Sequence, residues 1–125
     1  SIANKNIFES QNSIKPLALI LYNPAINISP KGKNRDLCFR DFYIDPAKES
    51  LSNFPPSIIL HGTDDDIIPI DWVSEFVRNL KELGRDVVFK VFLNRGHGFF
   101  NINKRDKDYQ NCNEYIEFFL KKRGF

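Results

Sequence analysis

Apolar residues fall into three short continuous runs separated by two stretches of helical period. Leu17-Ala18-Leu19-Ile20-Leu21-Tyr22 follows Pro16 and stops at Asn23-Pro24. An unbroken apolar run of that length predicts a strand buried on both faces. Ser57-Ile58-Ile59-Leu60-His61 predicts a second strand, ended by Gly62, and the β-branched and aromatic run Val87-Val88-Phe89-Lys90-Val91-Phe92-Leu93 a third. Between the last two, residues 69–83 place Trp72, Val73, Phe76, Val77, Leu80 and Leu83 on one helical stripe, with Asp71 as the expected N-cap and Gly84 as a left-handed stop. A closing helix over residues 107–122 carries Tyr109, Cys112, Ile116, Phe119 and Leu120 on its apolar side. Its last turn, Lys121-Lys122-Arg123, suits the negative end of the helix dipole.

Strand, helix, strand, helix in this alternation predicts an α/β fold with a parallel sheet. Residues 1–15 read as a loop with one helical turn, and residues 25–56 as a long connection punctuated by Pro30, Pro46, Pro55 and Pro56. Within that connection, residues 37–43 form a weakly helical stretch. A connection this long is either an excursion over a site or a solvated crossover.

Composition narrows the classes. A chain of 125 residues, 42% hydrophobic and 27% charged, is of ordinary globular type and fits one domain. The net charge of +2, with no Lys/Arg cluster interleaved with aromatics, argues against a nucleic-acid partner. No run approaches the roughly 20 apolar residues of a spanning helix, so no membrane partner is expected. Cys38 and Cys112 form no CxxC, so metal binding is not expected, no disulfide is supported, and compartment stays open.

Candidate chemistry gathers just after the second and third strands. His61-Gly62-Thr63-Asp64-Asp65-Asp66-Ile67-Ile68-Pro69 brings three carboxylates to a strand's carboxyl end, and Gly96-His97-Gly98-Phe99-Phe100-Asn101 brings an imidazole flanked by glycines. Open α/β sheets place their ligand sites at those ends. Three aspartates in a row also form ordinary solvated turns, and one of the three suffices to point inward. The calcium-loop spacing is absent. His61, ending an apolar run, reads as a hydrogen-bonded structural histidine, and Phe99 and Phe100 as core or pocket wall. An aspartate and a histidine at adjacent strand ends can act as orienter and general base for a nucleophile. No G-x-S-x-G occurs, however, and Ser29, Ser50, Ser52, Ser57, Ser74 and the cysteines lack the strained strand-to-helix setting that exposes one.

These motifs together resemble the C-terminal half of an α/β-hydrolase, in particular the acetyl-esterase and hormone-sensitive-lipase-like serine hydrolases close to the prolyl-oligopeptidase group. The residues that carry the likeness are Asn23-Pro24, Pro55-Pro56, His61-Gly62-Thr63-x-Asp65-x-x-x-Pro69, the helix to Gly84, and Gly96-His97-Gly98-Phe99-Phe100-Asn101. The resemblance implies that residues 1–125 are the C-terminal portion of a single α/β-hydrolase domain. They would supply the last three parallel strands and flanking helices of a three-layer αβα sheet that is incomplete here. It implies Asp65 as the triad acid and His97 as the triad base, with Asp64 and Asp66 at variable positions, a serine upstream of Ser1, and no cofactor. The absence of Met is consistent with a segment of a longer polypeptide.

The expected activity is hydrolysis of a small carboxylic ester, such as a short acyl ester of a sugar or small alcohol. The alternatives are a non-catalytic α/β interaction module and a related peptidase or thioesterase. The first strand would expose an unpaired apolar edge, so the expected macromolecular partner is the missing N-terminal half of the domain or a second copy.

Overall fold

The computed structural model describes residues 15–26, 49–101 and 106–125. The expected helical turns near the N-terminus and over residues 37–43 lie outside the described residues. The elements are β1 (Leu19–Tyr22), a short 3-10 turn (Glu49–Asn53), β2 (Ser57–Gly62), α1 (Ile70–Glu82), β3 (Val87–Phe92) and α2 (Asp106–Lys122). All three strands are parallel in the order β1-β2-β3, with Ile20 opposite Ile58 and Ile58 opposite Val88.

β2 lies in the middle and is buried along its whole length, which accounts for its unbroken Ile-Ile-Leu run. Its side chains alternate between two cores. Ile59 packs on the α1 side with Leu51, Phe54, Val73, Phe76, Val77 and Leu80, supported by Leu19, Leu21, Val87 and Phe89. Ile58 and Leu60 face α2 with Phe99, Cys112 and Phe119. The two-residue period of the strands thus feeds two helices on opposite faces, the expected three-layer arrangement. Each fully buried side chain of the α1 stripe contributes about 1.5–3 kcal/mol. Lys90, polar in an apolar strand, sets its amine 4.6 Å from the Tyr115 ring centre on α2.

Four expectations need correction. Tyr109, expected on the apolar side of α2, is exposed. Asp71 does not cap α1. Pro69 occupies the cap position with φ −56°, no side chain caps the helix, and Asp71 sits in the first turn. Proline presets the helical φ and has no N–H to satisfy, while Asp65 binds the amides just upstream. Leu83 leaves the apolar stripe, being 51% exposed at the C-cap. β1 is only half-buried: by alternation Ile20 lies on the α2 side with Ala18 and Tyr22, yet it is 41% exposed. Gly84 does stop α1, with φ +70° and its N–H on the Lys81 carbonyl.

Candidate active site

Beyond β2 the chain turns through Thr63 and Asp64 and directs the next side chain inward. Asp65 Oδ1 accepts hydrogen bonds from the Ile67 and Ile68 N–H groups, both at 2.9 Å. This closes a tight turn before Pro69 and buries the carboxylate completely, its side chain being 0% exposed. The two neighbours point away: Asp64 and Asp66 are exposed, and Asp64 Oδ1 accepts from the Thr63 hydroxyl at 3.0 Å.

Across the sheet, β3 ends at Phe92 and a short loop carries His97 back toward β2. Its bends need positive φ at Asn94 (+57°) and Gly98 (+77°). Thr63 N–H donates to the Phe92 carbonyl at 3.0 Å, Asn94 N–H to Thr63 Oγ1 at 2.8 Å, and Asp64 N–H to the Arg95 carbonyl at 2.9 Å. A Cβ on Gly62 would lie 2.0 Å from that same Arg95 oxygen, so only glycine lets the two loops close. On the far side of His97, Phe99 is buried in the α2 core and stacks on Phe92 at 4.6 Å, while Phe100 packs on Tyr22 at 4.3 Å.

Held on both sides, His97 Nδ1–H donates to Asp65 Oδ2 at 2.9 Å. That bond sets the tautomer and leaves Nε2 with a free lone pair, on a ring that is 39% exposed. Burial by itself pushes the Asp65 carboxyl up. The hydrogen bonds from Ile68 N–H, His97 and Ile67 N–H outweigh it and hold the group below the usual carboxylate range. Asp65 is therefore an anion facing an imidazole that can accept a proton.

His61 behaves as a structural histidine. It is fully buried and its Nε2–H donates to the Ile68 carbonyl at 2.9 Å, with Asp65 Oδ2 3.5 Å away. Burial lowers its pKa, more than the Ile68 and Asp65 oxygens raise it, so the ring is neutral near pH 7. It braces the backbone whose amides hold Asp65.

Two nucleophile candidates are otherwise engaged. Ser57 is buried and its hydroxyl donates to the Pro55 carbonyl at 2.7 Å. Cys112 is a free thiol in the α2 core, and burial pushes its pKa up to about 11. Among the described residues no group of three His, Cys, Asp or Glu side chains could hold a metal ion, and no helix is long and apolar enough to cross a membrane.

Sequence reading missed the residues that stitch the site together. Arg95 reaches back to Asp108 on α2, with Nε to Oδ2 at 2.6 Å. Asn23, read only as a strand stop, is buried with φ +40°, and its Oδ1 accepts from Gly62 N–H at 3.2 Å. An asparagine after a strand is a known signal for left-handed backbone, but its partner 39 residues on carries no local mark.

Residues 29–123, well over half of the chain, match the prolyl oligopeptidase family of peptidases. The chain belongs to that family. A stretch of 62 residues is 36% identical to Esterase LipC of Mycobacterium tuberculosis (strain ATCC 25618 / H37Rv), covering 49% of this chain and 15% of the esterase. Among solved structures, esterase 2 of the Planctomycetes species Thermogutta terrifontis in its propionate-bound form matches with a TM-score of 0.69 and 30% identity, covering 89% of this chain and 44% of that one. The same esterase phosphonylated by sarin gives 0.72 and 29%, covering 89% and 45%. Family and fold together make this an esterase-like α/β-hydrolase chain, as the motif resemblance implies. It spans less than half the length of these solved relatives.

Proposed function

We propose that this chain provides the acid and base of a Ser-Asp-His triad in a carboxylic ester hydrolase, as the C-terminal portion of the domain, with the serine on sequence outside residues 1–125. The observation that carries the reading is the 2.9 Å bond between His97 Nδ1 and the fully buried, anionic Asp65, at the carboxyl ends of neighbouring strands. His97 Nε2 takes the serine proton as the hydroxyl oxygen attacks the ester carbonyl carbon. The resulting imidazolium lies against Asp65, which stabilises it, and it returns the proton to the departing alkoxide. Water then cleaves the acyl-enzyme by the same base. The propionate- and butyrate-bound forms of the Thermogutta terrifontis esterase support a short acyl group.

On this reading the 125 residues alone are inactive. Among the described residues β1 pairs only with β2, and on this reading its other edge pairs with the remainder of the sheet or with a second copy.

The test is hydrolysis of p-nitrophenyl acetate by the full-length protein and its His97→Ala variant. Loss of about 10⁴-fold or more in kcat is expected, and unchanged turnover refutes the assignment. The family name favours a second reading, a peptidase. A set of short peptide amides assayed beside the esters separates the two, because a peptidase cleaves the amides and an esterase spares them.

A further inference from the structure

His97 stands between two glycines, and the loop that carries it bends twice through left-handed backbone. Such a loop has little stiffness of its own, so the imidazole keeps its place only through outside tethers. Beyond the packing of Phe99 and Phe100, two hydrogen bonds tie the loop to the turn after β2, from Asn94 N–H to Thr63 Oγ1 and from Asp64 N–H to the Arg95 carbonyl. A further tether is the guanidinium of Arg95, two residues before His97, which reaches α2.

We propose that Arg95 and Asp108 form a positioning pair for the hydrolytic reaction, anchoring the loop on α2 so that His97 stays seated on Asp65. This rests on the reading given above and adds residues to it. The pair is close and partly dry: Nε to Oδ2 is 2.6 Å, with the Asp108 side chain 8% exposed and that of Arg95 27%. A shielded carboxylate needs a cation or donors, and losing the guanidinium leaves it uncompensated. The helix does not depend on this contact for docking, because Cys112 and Phe119 already pack α2 on the sheet. The pair's leverage therefore falls on the loop.

The experiment compares Arg95→Gln, Arg95→Lys and Asp108→Ala in the full-length protein, measuring kcat and KM well below each variant's melting temperature. His97 Nδ1–H is followed as a downfield proton resonance. Displacing a catalytic group by about 1 Å can cost on the order of 10²-fold. Arg95→Gln should accordingly lower kcat about 10- to 100-fold with KM within about 3-fold, and broaden or abolish the resonance. Arg95→Lys keeps a cation on Asp108 and should restore most of both.

A folded Arg95→Gln protein with kcat within about 3-fold of wild type, or an unaltered resonance, overturns the proposal. If Arg95→Gln fails to fold, Asp108→Ala decides by the same readouts, since it removes the acceptor from Arg95 and leaves no uncompensated carboxylate behind. The resonance reports the seating of His97 whether or not the protein turns over esters. Failure of the hydrolase reading, seen as activity surviving His97→Ala, is thereby distinguished from failure of this one.

Discussion

Replacing Asp65 with Asn changes little in shape and forces a choice on the site. The carboxylate accepts three hydrogen bonds, two at Oδ1 from the Ile67 and Ile68 amides and one at Oδ2 from His97. An asparagine has one oxygen and one NH₂. If the oxygen turns to His97, the NH₂ meets two backbone donors and both are left unsatisfied. If it stays on the amides, only the imidazole bond changes. An unsatisfied buried donor costs about 1–3 kcal/mol, so two lost bonds outweigh one and the oxygen stays. The NH₂ then faces His97 Nδ1, which must present a lone pair, and the ring proton moves to Nε2. The imidazole can no longer accept the serine proton. The expected fall in kcat is about 10⁴-fold, or about 5.4 kcal/mol at about 1.36 kcal/mol per tenfold. Stability should fall by only about 1–2 kcal/mol, because three charge-assisted bonds become neutral ones and none is lost. The assay is p-nitrophenyl acetate hydrolysis by the full-length variant, with the His97 tautomer read from its ring nitrogen shifts. A kcat within tenfold of wild type, or a proton still on Nδ1, refutes the reasoning.

Acid should act through the same carboxylate. The Asp65 pKa is lower folded than unfolded, so its contribution is complete above the unfolded value of about 3.9 and is lost as pH falls through the folded one. Urea midpoints measured downward from pH 5 should drop more steeply for wild type than for Asp65→Asn, and parallel curves would contradict this. If the proposed function is right, the 125-residue chain expressed alone should self-associate or be poorly soluble through the β1 edge, and co-expression with the remainder of the hydrolase domain should relieve this; a monodisperse monomer in light scattering at high concentration would count against that.

The repeating features of the fold were legible in the sequence because they are local. Apolar runs marked all three strands, and the buried Ile-Ile-Leu segment lies at the centre of the sheet. The helical stripe and Gly84 marked α1 and its end. Motif resemblance singled out Asp65 and His97, whose residue types alone would have left Asp64, Asp65 and Asp66 equivalent. Tertiary structure decided the rest. Which aspartate turns inward depends on the Ile67 and Ile68 amides that follow it and on an imidazole 32 residues further along the chain. Which residue starts α1 depends on Pro69 rather than the better-capping Asp71. The tethers of the His97 loop join Thr63 to Asn94 and Arg95 to Asp108, residues distant in sequence with no periodic relation. Hydrophobic burial repeats along a chain with the period of its secondary structure and so leaves a trace in order of residues. A polar contact between distant residues is made once, and becomes visible only when the folded backbone brings its ends together.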